Sequence, residues 1–161
     1  MIKYQVATKP EYEPVSVDEV RSHLRIDTND EDAEILQWIK AARKRLEKFS
    51  GRFFITQDID WFLDCFPLDA IHVFGPLQSI TSIKYQGKDD VEQTLSASKY
   101  EVDDKGFTPR IRPVKGGTWP STFDTVNAVT ISYKAGYGTP VDVPKEINLA
   151  IKMLVGHYYE N

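Results

Sequence analysis

Apolar residues return at three- and four-residue spacing through DEDAEILQWIKAARKRLEKFSG, residues 30–51, where Ile35, Trp38, Ile39, Ala42, Leu46 and Phe49 fall in one line. On a helix of 3.6 residues per turn that line is a stripe about 100° wide, so the pattern predicts a long helix facing a core. Its first turn is acidic (Asp30, Glu31, Asp32, Glu34) and its later turns are basic (Lys40, Arg43, Lys44, Arg45, Lys48). Both ends therefore complement the helix dipole, and Gly51 supplies the stop. At ~1.5 Å per residue the helix is roughly 30 Å long, so the remaining chain must pack along it. It carries no reactive group, which points to a scaffold.

Before it, Ser16 and Glu19 have capping-box spacing, and Val17, Val20 and Leu24 recur at helical intervals. A short helix over 17–25 is the expectation, broken by Asp27-Thr28-Asn29. Residues 1–14 hold Pro10 and Pro14 and alternate Ile2, Tyr4 and Val6, a pattern for an edge strand or arm that pairs with its own sheet or a neighbour's. After Gly51 the period changes to two. In DIDWFLDCF, Ile59, Trp61, Leu63 and Cys65 alternate with Asp58, Asp60, Phe62 and Asp64, the pattern of a strand with one face buried. Further strands are expected over 70–74, 79–86, 91–95, 99–102, 110–112 and 128–134, separated by Gly-, Pro- and Asp-rich turns. In the last of them Val129, Ile131 and Tyr133 face one way and Thr130, Ser132 and Lys134 the other.

Helix signals return at Asp142-Val143-Pro144. Over 142–161 one face carries Ile147, Ala150, Ile151, Leu154 and Tyr158. Leu149 and Met153, with Gly156 beside them, form a second apolar line nearly opposite. A helix apolar on two sides is buried on two sides. One side meets the long helix; the other meets either the β lobe or another subunit. The expected fold is α+β: one domain over 1–161 whose helical core comprises N-terminal helices at 16–51 and a C-terminal helix at 142–161. A mainly antiparallel β lobe is inserted at 52–134.

With 161 residues, 41% hydrophobic and 27% charged, the chain suits one well-buried domain. Its net charge of −4 and pI near 5.4 argue against a general affinity for nucleic acid or anionic membranes. Lone Cys65 forms no internal disulfide, and no apolar run approaches the ~18 residues of a membrane span. A soluble protein assembled in a cytoplasm is the expectation.

Candidate chemistry changes this picture little. Cys65 on the inward phase of its strand reads as an apolar filler. His23, His72 and His157 have no metal-ligand spacing, so no zinc site is expected. Residues 27–32 fail as a calcium loop, because Asp32 stands where the turn glycine belongs and Trp38 where the closing glutamate belongs. Asp58, Asp60 and Asp64 share a strand face, which serves either as a solvated sheet surface or, with help from another strand, as a metal site. Gly136-Tyr137-Gly138 lacks the context and the third glycine of a nucleotide loop. No catalytic residue, cofactor or metal is assigned. What remains are surfaces: Lys40, Lys44 and Lys48 in an i, i+4 line, Leu149 and Met153, and Trp119 in its Gly/Pro loop as a contact residue.

In its ordered segments the chain resembles the head-to-tail connector proteins of tailed bacteriophages, in particular a prophage-encoded group of this length. The resemblance is carried by VSVDEVRSHLRID (15–27), AARKRLEKFSGRFFITQ (41–57), GPLQSITSIKY (75–85), NAVTISYKAGYG (127–138) and DVPKEINLAIKMLVGHYYEN (142–161). It implies a non-enzymatic structural adaptor of the virion neck, assembled in the host cytoplasm as a ring of about a dozen copies beneath the portal protein. Such a ring extends the channel through which DNA passes without sequence-specific binding, and receives the next neck or tail-completion protein. Members of that group often continue well past HYYEN; if that tail grips the portal, docking here uses other segments or the chain is shortened. The competing expectation is a monomeric binding module whose β lobe recognises a carbohydrate or a protein through exposed aromatic residues. A metal-dependent enzyme built on the aspartates of residues 58–64 is a third.

Overall fold

The computed structural model describes residues 3–161, so Ile2 of the expected arm lies outside the described residues. Three helices and antiparallel sheets make the fold α+β, and the chain divides into two compact units. One takes in the N-terminal strand and Gln57–Gly136; the other takes in Pro10–Thr56 and Tyr137–Asn161.

In the helical unit, α1 (Val17–Leu24) begins with the expected capping box: Ser16 Oγ accepts from the Glu19 N–H, and Glu19 accepts from the Ser16 N–H at 2.7 Å. Helix α2 (Asp32–Ser50) starts two residues inside the acidic run and ends where the Gly51 N–H returns to the Glu47 carbonyl. Gly51 has φ 65°, a left-handed conformation that glycine adopts without a Cβ penalty. Helix α3 (Lys145–Glu160) follows a short 3₁₀ turn, Pro140–Asp142, in which Asp142 accepts from the N–H and hydroxyl of Thr139. Val20, Ile35, Ile39, Ala42, Ile151 and Val155 are fully buried and form the centre of this unit with Phe54 and Ile55. Each large aliphatic side chain removed from water there contributes about 1.5–3 kcal/mol. Where Gly156 sits, a Cβ would come within 3.2 Å of Leu24 Cδ2, so the missing side chain lets α1 approach α3.

The β unit holds a five-stranded antiparallel sheet in the order β1-β2-β8-β4-β5, formed by Lys3–Thr8, Gln57–Leu63, Val129–Ala135, Leu77–Gln86 and Glu92–Thr94. The expected arm is thus an edge strand of its own chain's sheet: Tyr4 lies opposite Trp61 and Val6 opposite Ile59. At the centre, Ile59 and Trp61 of β2 face Tyr133 and Ile131 of β8, and all four are buried, as period-two alternation requires. A second sheet, in the order β3-β7-β6, comprises Ile71–His72, Arg110–Pro113 and Tyr100–Asp103.

Three expectations need correction. Phe49 belongs to the apolar stripe by spacing but is 90% exposed: it lies in the last turn of α2, where it borders an open groove beside α3 and is not covered. Cys65 is exposed and is not a core filler: β2 ends at Leu63, so the alternation that would have turned Cys65 inward has stopped. The strand expected over 70–74 is two residues long.

Candidate functional site

Charge enters the inside of the helical unit at one place. Arg43 and Glu47 are buried on α2, one turn apart, where a stripe reading expects solvated residues. The Arg43 guanidinium donates to Glu13 (Nε to Oε2, 2.7 Å) and to Glu47 (Nη1 to Oε2, 2.8 Å), while Glu47 Oε1 accepts from the Phe54 N–H at 2.8 Å. The network ties α2 to the segments on either side of it in sequence. Burial pushes the Glu47 carboxyl above its ordinary value, and the adjacent Arg43 charge and the Phe54 N–H offset only part of that.

Helices α2 and α3 run antiparallel, since Trp38 meets Tyr159 edge-on at 5.8 Å while Leu46 and Phe49 share a groove with Ala150 and Met153. The groove measures about 930 Å³; Phe49, Met153 and Leu154 give it apolar walls, and Arg45 and Lys48 rim it. Met153 is 63% exposed and Leu149, one turn earlier, 49% exposed, so the second apolar line of α3 is uncovered in the isolated chain. Lys40, Lys44 and Lys48 are exposed along α2. Met153 and Lys48 thus line one groove, and Leu149 lies one turn from Met153 on α3.

Trp119 is not a free contact residue. Its ring stacks on Phe66 (centroids 4.8 Å apart, planes 8° apart), and its Nε1–H donates to the Asp69 carbonyl at 3.1 Å, leaving it half-buried. It instead braces an exposed loop edge of the β unit. There the Asp64 carboxylate accepts from Lys3 Nζ at 2.9 Å and from the Asn127 N–H at 2.8 Å, joining the loops after β2 and before β8. The Asn127 N–H first, and Lys3 second, hold the Asp64 carboxyl below the usual carboxylate value. Beside these bonds Leu68, Phe123 and Val126 stand out into solvent, with Asp69 and Asp124 next to them in the chain.

The other sequence candidates have partners in the fold. Asp60 accepts from the Ser132 hydroxyl at 2.6 Å, and Asp58 lies 3.8 Å from Lys134. His23, His72 and His157 are exposed and lie on separate elements. Among the described residues no group of three His, Cys, Asp or Glu side chains is placed to hold a metal, and no helix is long and apolar enough to cross a membrane. Leu68 and Val126 carry no pattern in the sequence reading, which places Phe49 in the buried stripe and Phe123 among the β-lobe aromatics. The signal available for Leu68 and Val126 is a large apolar residue flanked by Pro and Asp or by Thr and Asn, where no period absorbs it.

Exposed apolar patches rimmed by polar residues mark sites of interaction. The chain belongs to the head completion protein family, whose sequence pattern matches residues 13–161. Comparison with curated proteins gives no match. Solved structures share the fold. A chain in the neck of an empty gene transfer agent (GTA) particle, computed with C6 symmetry, superposes with a TM-score of 0.85 at 24% identity, covering 99% of this chain and 84% of that one. A chain in the virion of a native GTA particle gives 0.81 at 23% identity, covering 98% and 84%. One from the neck of native GTA computed with C12 symmetry gives 0.78 at 23% identity, covering 100% and 84%.

Proposed function

We propose that this protein is a structural, non-enzymatic adaptor of the phage neck. It forms a ring of about a dozen copies beneath the portal protein, extends the DNA channel and receives the next neck or tail-completion component. The observation that carries the proposal is membership of the head completion family over 13–161. The fold it shares with chains from GTA necks supports it across almost the whole length. Physical features fit the role. A net charge of −4 suits a conduit through which DNA slides, because lysines bound to phosphate would retard it. Uncovered Leu149 and Met153 suit a chain that meets neighbours. The alternative, a monomeric β-lobe module reading a carbohydrate or protein through exposed aromatics, loses its main element because Trp119 is engaged with Phe66 and Asp69.

Native mass spectrometry over a concentration series, with negative-stain images of any large species, tests the proposal. A closed species of about a dozen subunits, formed alone or on the cognate portal, is the expected result. A monomer at every concentration, with and without portal, overturns it.

A further inference from the structure

We infer that the α2–α3 groove of one copy receives the exposed loop edge of the β unit of the next copy, making the heterologous contact between neighbours. The inference rests on the ring reading above and assigns the surfaces that build it.

Two apolar patches lie on different units, and they carry opposite charge. Around Phe49 and Met153 the charged groups lining the groove are Arg45 and Lys48; beside Leu68, Phe123 and Val126 they are Asp69 and Asp124, together with Asp64, whose charge is met by Lys3. None of Arg45, Lys48, Asp69 and Asp124 has an ion-pair partner among the described residues. Pairing a patch with its own copy sets like charges against each other, arginine and lysine at one two-fold contact or aspartates at the other, and such juxtapositions cost several kcal/mol. Pairing the groove with the loop edge sets opposite charges face to face and buries apolar area on both sides. A contact between two different patches on identical chains is head-to-tail, and it closes into a ring when the rotation per copy allows. The loop edge is also prepared for docking. The Asp64 bonds to Lys3 and Asn127, the Phe66–Trp119 stack and the Trp119 bond to Asp69 fix it in the free chain, so little ordering is lost on contact.

Exposed Cys65 lies within this loop edge and serves as a built-in reporter. In Met153→Cys protein, mild oxidation under assembling conditions joins Cys65 of one copy to the new thiol of the next. Non-reducing electrophoresis then shows a ladder of dimers, trimers and higher species. The ladder disappears in Met153→Cys with Cys65→Ser, and wild-type protein stops at dimers. A second, independent readout is charge reversal. Arg45→Glu with Lys48→Glu weakens self-association by about tenfold or more, as does Asp69→Lys with Asp124→Lys, and mixing the two reversed proteins restores association at 1:1 stoichiometry, the two alternating along the assembly. Circular dichroism of each variant confirms that it is folded. If the protein forms rings but gives neither ladder nor restored pairing, the inference is overturned and the ring reading stands; the groove then faces another neck component. If no self-association occurs with or without portal, both fail.

Discussion

The helical and β units are each built from antiparallel neighbours, yet they handle charge in opposite ways. In the helical unit Arg43 and Glu47 retain 6% of their side-chain exposure and meet Glu13 inside the fold. In the β unit the cross-strand pairs Arg112–Glu101, Arg110–Asp103 and Lys84–Glu92 stay at the surface. Geometry explains the difference. A strand sends alternate residues to opposite faces, so a one-sided sheet sorts its charges outward automatically. Helix α2 is packed by α1, α3 and the segments around Glu13 and Phe54, which together cover more than one stripe of it. Polar residues at the margin of the stripe are then enclosed and need partners. A buried charge left alone is costly, whereas an exposed pair contributes little.

The sharpest test of this contrast is to remove one cation from each unit. Arg43→Met removes the buried guanidinium that pairs with Glu13 and Glu47 and is expected to lower unfolding stability by about 3–5 kcal/mol. Lys84→Met, which breaks the exposed pair with Glu92, should cost about 0–1 kcal/mol. Urea denaturation of the two variants measures both, and equal losses would abolish the contrast. The apolar cores should show no such asymmetry: Ile151→Ala in the helical unit and Ile131→Ala in the sheet each remove a fully buried side chain and should each cost about 2–5 kcal/mol. Thermal unfolding compares them.

A smaller effect is expected from Ser16→Ala, which deletes the cap of α1 and should cost about 1 kcal/mol. Hydrogen exchange of the α1 amides reports that loss where it occurs.

Acid should separate the units with opposite signs. Glu47 has a raised carboxyl pKa, so the folded helical unit binds its proton more tightly than the unfolded chain. The associated stability is fully present below about 4.5 and is lost as pH rises through the folded value. Asp64 and Asp103 are held low by backbone N–H groups first and by cations second. Their contribution is present above about 3.8 and is lost as pH falls through the folded values. Trp38 reports on the helical unit and Trp61 with Trp119 on the β unit, so tryptophan-to-phenylalanine variants followed by fluorescence resolve the two trends.

Much of this molecule was legible along the chain. Spacing alone located α2 and the first turn of α1, because a capping box and a 3.6-residue stripe are local properties of contiguous residues. Alternation located β2 and β8 and their inward faces for the same reason, whereas the second apolar line of α3, expected to meet the β lobe or another subunit, leaves Leu149 and Met153 exposed in the isolated chain. Other outcomes depended on residues far apart in sequence. Phe49 lies in the same stripe as Ile35 and Ile39 but is exposed, since burial depends on where the neighbouring helix runs as well as on phase. Cys65 continued the alternation by number, but the strand had stopped pairing. Trp119 looked free in its loop until Phe66 and Asp69 were found against it. Arg43 could not be read as interior, because its enclosing partner Glu13 lies thirty positions away. Periodicity states which residues share a face; only the packed chain decides what, if anything, covers it.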